Sequence, residues 1–240
     1  MINKSVLIGI QARSTSSRLP NKALRMLGPK PVLKHVVDSC AYSANYLNKL
    51  THKTMTSVGV ALLIPEHDPI GEHYLFRNVQ IVRGSENDVL SRYCLALNRL
   101  KPDYMVRITG DCPLIPPYLI SKMIKLTLLN QYDYLSNVDP MARTAIDGFD
   151  CEVMSDRALS WLNEHAVEPY DREHVTPLFR SNPPSWANRG GVISNLNFSS
   201  LKLSVDTEED FERVSDQYEQ VRKAAKNAED IYGRGKVHWF

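Results

Sequence analysis

The chain has 240 residues, 43% hydrophobic and 23% charged, with 29 Lys and Arg against 27 Asp and Glu. That length suits one α/β domain over residues 1–240 with a sizeable core, and a net charge of +2 argues against a general nucleic-acid-binding surface. No apolar run approaches the roughly 18–20 residues that cross a bilayer, so no membrane partner is expected. The opening MINKSVLIGIQARS has too short an apolar core for a secretory signal. Cys40, Cys94, Cys112 and Cys151 lie far apart with no C-x-x-C pair. They read as small buried hydrophobes in a reducing, cytoplasmic setting.

Short apolar runs alternate with helical patterns, the mark of an α/β sheet covered on both faces. The first strand is SVLIGIQ (5–11). Arg13, Arg18 and Lys22 follow among small hydroxyl residues, in the kind of strand-to-helix loop where phosphates meet backbone N–H groups and cations. Neither a P-loop nor a G-x-G-x-x-G string is present, and a solvated basic loop is the competing reading. A helix over PVLKHVVDSCAYSANYL (31–47) leads to strands SVGVALLI (57–64) and VQIV (79–82). Continuous apolar runs of this kind suit strands buried on both faces.

The stretch SENDVLSRYCLALNRL (85–100) places Val89, Leu90, Tyr93, Cys94, Leu97 and Leu100 on one stripe. Ser85 is the expected N-cap, with Asp88 completing an S-x-x-D pattern. Asp88 and Arg92, four apart, suit a pair on the helix face. Strand DYMVRIT (103–109) then ends at Gly110 and Asp111. Open α/β sheets bind ligands at that edge, and magnesium takes a few carboxylates plus substrate phosphates. A local Asx turn is the plainer role for Asp111.

PPYLISKMIKLTLL (116–129) is a helix, and YDYLSNV (132–138), FDCEVM (149–154) and LKLSVD (201–206) are strands. DPMART (139–144) reads as a mobile loop, either a substrate cover or a connection. Asp206 follows its strand directly, while Thr207 is already available to cap the helix TEEDFERVSDQYEQVRKA (207–224). Phe211, Val214, Tyr218 and Val221 line that helix's buried face. Residues 226–240 read as a tail or an oligomer contact. Trp161, Trp186 and Trp239 have no stacking-platform spacing and suit core or interface use.

Six motifs occur in order: IQARSTSSRLPNKAL, VRGSENDVLSRY, VRITGDCPLI, DGFDCEV, REHVTPLFRSNP and LSVDTEEDFE. Together, from about Val6 to Tyr218, they resemble the cytidylyltransferase family of the spore-coat polysaccharide biosynthesis type, related to 3-deoxy-manno-octulosonate and acylneuraminate cytidylyltransferases. The resemblance implies an α/β nucleotide-diphospho-sugar transferase fold, with a mixed, mainly parallel sheet and a Rossmann-like amino-terminal half. It implies CTP as donor, Mg2+ as cofactor, a small-molecule acceptor and commonly a homodimer. By position, Arg13, Lys22 and Asp111 would be catalytic. Gln11, Ala12, Arg13, Arg18 and Lys22 would bind CTP, with Arg83, Gly84, Ser85, Asp88 and Thr109. Asp111 and Asp206 would bind magnesium. Asp147, Asp150, Arg172 and His174 would face the acceptor, though a surface histidine is the plainer reading of His174.

The implied reaction is CMP transfer to an acidic sugar, or alternatively to a phosphonate or phosphorylated alcohol. A glycosyltransferase would place a D-x-D pair where TGDCPL has one acid. Thr15 and Asn21 stand where such proteins usually have glycine, which allows φ > 0 and close approach to phosphate. Asn21 is the milder change; Thr15 favours a non-catalytic nucleotide-binding protein.

Overall fold

The computed structural model describes residues 4–50, 57–138 and 143–232, with side chains as far as residue 221. β1 (Ser5–Gln11) is followed by a 3-10 turn at Lys22–Leu24 and a small hairpin, β2 (Met26–Leu27) with β3 (Lys30–Pro31). α1 (Val32–Leu50), β4 (Ser57–Pro65), β5 (Gln80–Gly84), α2 (Val89–Leu100) and β6 (Tyr104–Thr109) complete the amino-terminal half. Then come α3 (Pro117–Asn130), β7 (Tyr134–Ser136), β8 (Glu152–Ser155) and three short helices, α4 (Asp156–His165), α5 (Pro169–His174) and α6 (Pro177–Ser181). β9 (Arg189–Gly191) and α7 (Glu208–Tyr232) close the chain.

Seven strands form one sheet in the order β5-β4-β1-β6-β8-β7-β9. β5, β4, β1 and β6 are parallel; β8 runs antiparallel to β6 and to β7. The expected mixed, mainly parallel α/β sheet is therefore present. Side chains alternate across each strand. Ile8, Ile10, Leu62 and Ile64 pack on one face against Leu33 and Val36 of α1. Leu7, Leu63 and Met105 pack on the other against Tyr93 of α2 and Leu159 and Leu162 of α4. Each such buried side chain contributes roughly 1.5–3 kcal/mol. A third cluster joins Leu19 and Leu27 to Val205 and Val214, holding the loop after β1 against the start of α7.

Several local expectations change. α2 begins at Val89, and its cap is Asp88, whose Oδ1 accepts from Ser91 N at 2.9 Å. Ser85 acts one turn earlier, its Oγ accepting from Asp88 N at 3.1 Å. Thr207 does cap α7: its Oγ1 accepts from Asp210 N, while Asp210 Oδ2 accepts from Thr207 N. LKLSVD is not a ladder strand. Its backbone bonds are divided, Leu203 N to Asp147 O and Val205 N to Asp111 O, leaving only a bridge between Lys202 and Asp147. Gly148 requires its glycine there: φ is +109°, and a Cβ would lie 2.6 Å from the backbone of Leu203 and Ser204.

β9 (Arg-Gly-Gly) is too short and glycine-rich to carry a strand signal, and α4 to α6 fall where the pattern assigned no element. α7 continues to Tyr232, into the stretch read as a tail. Residues 139–142 of the DPMART loop and 233–240, including Trp239, lie outside the described residues. Trp161 and Trp186 pack edge-on against Phe179. Among the described residues no helix is long and apolar enough to cross a membrane.

Candidate active site

The chain moves outward from β1 to β4 and β5 on one side and resumes at β6 on the other. Such a switch leaves a crevice at the strands' carboxyl ends. Gln11 and Thr109, the last residues of β1 and β6, are register partners there, and a cavity of about 350 Å³ opens beside them. Gly110 lets the two strand ends close up. Its N donates to Gln11 O at 2.8 Å, and a Cβ would press on Ala12 and Gln11 O at 3.0 Å.

At the centre stands Lys22. Its Nζ donates to Asp111 Oδ2 at 2.9 Å, to Asp206 Oδ1 at 3.1 Å and to Val205 O at 3.1 Å. Those distances laid end to end bound the two carboxylate oxygens at about 6 Å apart. The bond from Val205 N to Asp111 O (2.9 Å) brings the second acid in. Burial alone would lower the Lys22 pKa, but Asp111 and Asp206 outweigh it and leave it raised. Asp111 mirrors this: burial would raise its pKa, and the Lys22 ammonium leaves it lowered. Arg18 Nη2 is 2.9 Å from Asp206 Oδ1. Arg13 lines the cavity, exposed, and makes no ion pair among the described residues.

The two departures from glycine exchange importance. Asn21 takes the left-handed conformation, φ +56°, that asparagine tolerates. Thr15 is not among the described residues with positive φ, so glycine is not needed there for conformation. Instead its hydroxyl donates to Glu86, and Ser14 N donates to Asp68 Oδ2 at 2.6 Å, tying the loop to its neighbours.

Asp147, Asp150 and His174 also line the cavity. Arg143 Nη2 is 2.7 Å from Asp150 and 3.7 Å from Asp147. Burial nevertheless pushes Asp150 up to about 6; Arg143 opposes this only in part, and Asp147 and Glu152 reinforce it.

Five expected site residues lie elsewhere. Arg172 turns from the cavity to Asp88, with Nη2 to Oδ2 at 2.6 Å, so Asp88 pairs with α5 and not with Arg92. Arg83 points away, binding the carbonyls of Glu66 and Asp68 and the Glu72 carboxylate. Gly84 and Ser85 line a neighbouring cleft with Thr15 and Asp68. Among the cavity residues not expected there are two arginines. Arg92 is 2% exposed, donating to Leu63 O at 2.7 Å and Ala12 O at 3.2 Å. Arg107 stands mid-strand in β6. An arginine inside an otherwise apolar strand was the available signal.

The arrangement gathers Arg13, Arg18 and Lys22 with the clustered carboxylates of Asp111 and Asp206 at a switch point, a fit for polyphosphate. Residues 7–233 match the family model described as cytidylyltransferase. The chain belongs to the cytidylyltransferase family. As a cytidylyltransferase it is a nucleotidyltransferase, and its relatives align over most of its length. It is similar to the spore coat polysaccharide biosynthesis protein SpsF of Bacillus subtilis, 30% identical over 220 residues, covering 90% of this chain and 87% of that one. A solved cytidylyltransferase from Leptospira borgpetersenii serovar Hardjo-bovis is 27% identical with a TM-score of 0.76, covering 98% and 99% of the two chains. The CMP:2-keto-3-deoxy-manno-octonic acid synthetase, solved with CTP, has a TM-score of 0.66 over 90% of this chain and 99% of its own. At 14% identity, that likeness concerns the fold.

Proposed function

We propose that the enzyme transfers CMP from CTP to a hydroxyl of a small acceptor, releasing pyrophosphate. The observation that carries this reading is Lys22 set between Asp111 and Asp206 beside Arg13, which makes no ion pair among the described residues. The acceptor oxygen forms a bond to the α-phosphorus as the bond from that phosphorus to the bridging oxygen of pyrophosphate breaks. The hydroxyl proton passes to water, and the charge accumulates on the departing oxygens. Arg13, Arg18 and Lys22 hold those oxygens, so the protein's work is placement and charge neutralisation.

Asp111 and Asp206 fit a divalent ion. They are hard oxygen donors about 6 Å apart at most, already arranged around a cation, the Lys22 ammonium. No group of three or more acidic, histidine or cysteine side chains among the described residues could hold a metal alone. That suits magnesium, which takes one or two carboxylates and completes its shell with phosphates and water. When bound, it would supply neutralising charge to the triphosphate. Asp147, Asp150 and His174 take the acceptor. An acidic sugar is the first candidate, as the name of the octonic acid synthetase of similar fold suggests.

A pyrophosphate-release screen tests this reading: CTP, UTP, ATP and GTP, each with magnesium, against acidic sugars and phosphonates. Release with CTP and one acceptor class is expected. No release from CTP with any acceptor would overturn it.

A further inference from the structure

Arg107 of β6 and Glu152 of β8 are register partners, with Nη1 donating to Oε2 at 2.6 Å. Glu152 is 1% exposed and bonded at both oxygens: Oε1 also accepts from the Tyr134 hydroxyl and, at 2.8 Å, from Thr176 Oγ1. Breaking such a buried pair is costly, so the guanidinium is held in place. Its Nε then donates to Gln11 Oε1 at 3.1 Å. A guanidinium has no acceptor, so the atom it meets on Gln11 must be the carbonyl oxygen, never the amide nitrogen. The side-chain flip of Gln11 is thereby decided by chemistry. Tyr93 adds a hydroxyl shared between Gly9 O (3.2 Å) and Gln11 Oε1 (3.3 Å). Gln11 Nε2 has no partner among the described residues, Gln11 lines the cavity, and the loop that follows it carries Arg13, Arg18 and Lys22.

We propose that Arg107, anchored by Glu152, is a positioning residue that locks the Gln11 amide so that its Nε2–H groups face the bound nucleotide and read one of its oxygens, of ribose or of base. This rests on the CTP reading above. Gln11 then acts as a donor only and selects for an oxygen lone pair. Thr176 attaches the same carboxylate to the chain just after His174, across Val175, whose φ of +71° is strained for a β-branched residue. One buried acid thus sets Gln11 through Arg107 and the end of α5 through Thr176.

Calorimetric titration of CTP with magnesium tests the proposal without requiring turnover. Gln11→Glu still gives Arg107 an oxygen but replaces the donor, and Gln11→Met removes the donor without adding charge. Both are expected to raise the CTP dissociation constant roughly tenfold or more, about the worth of one hydrogen bond to a buried group. The Gln11→Glu melting temperature should hold, since its carboxylate still pairs with Arg107. Loss of a wild-type preference for CTP over 2′-deoxy-CTP in Gln11→Met identifies the ribose 2′-oxygen as the one read. A retained preference with weaker binding places the contact on an oxygen that 2′-deoxy-CTP keeps, of the base or the rest of the ribose.

Arg107→Lys should weaken CTP too, and adding it to Gln11→Met should cost nothing further, because it acts through Gln11; full additivity would overturn the positioning role. Wild-type affinity in both Gln11 variants overturns the inference, as does a loss confined to Gln11→Glu, which would be charge repulsion alone. A wild-type chain that does not bind CTP overturns the functional reading, and this inference with it.

Discussion

Asp111 and Asp150 are the same residue in the same cavity, and their environments drive them apart. Asp111 lies on the Lys22 ammonium, which outweighs burial and holds its carboxyl below the ordinary value. Asp150 has Arg143 beside it, but burial together with Asp147 and Glu152 prevails and pushes it up to about 6. Beside Lys22 the cavity keeps the Asp111 carboxylate charged. Beside Arg143 it holds a carboxyl close to gaining a proton, and paired environments of this kind mark candidates for distinct acid and base roles.

The largest expected effect is on turnover. Asp111→Asn should retain the fold and lose on the order of 10²-fold or more in pyrophosphate release; unchanged release would remove its assigned role. Lys22→Met comes next. Asp111 and Asp206 would then face each other without their shared cation, so the melting temperature should fall in EDTA and recover with added magnesium. A fall that magnesium does not reverse would mean the acids are not an ion site.

The pH dependence of stability separates the two aspartates more finely. Asp111 has a lowered folded pKa, so its contribution is present above its unfolded value of 3.8 and is lost as pH falls through the folded one. Asp150 is the opposite: its folded value of about 6 lies above 3.8, so stability is lost as pH rises through that window. Relative to wild type, Asp111→Asn should therefore be least stable near neutral pH. Asp150→Asn should gain between about pH 4 and 6. Parallel melting curves for the two variants across this range would erase the distinction. The smallest effect is expected of Thr15→Gly, which removes an exposed contact to Glu86 and should cost no more than about 1 kcal/mol by denaturant titration.

Much of this was legible in the chain because the signals are local. Apolar runs such as SVLIGIQ and SVGVALLI read as buried strands, and Thr207 read as the cap of the helix that follows it. Asp111 was legible as an acid just past the apolar run of β6, and Asp206 as an acid after LKLSV, although that run forms no ladder strand. What was not legible depends on long-range geometry. Arg172 looked like an acceptor ligand until folding set it against Asp88, 84 residues away in sequence. Asp206 reaches Asp111 through divided backbone bonds that no periodicity announces. Thr15 and Asn21 were weighed by residue type, whereas the backbone angle at each position decides which substitution matters.

All four thiols are free and buried, and burial raises their pKa, Cys94 to about 11 and Cys112 well beyond its ordinary value. Near neutral pH they are protonated and shielded, hence poor targets for alkylating reagents. Labelling then becomes a clock for opening of the fold. Cys112, next in sequence to Asp111, is the tick that a tightly held nucleotide should slow.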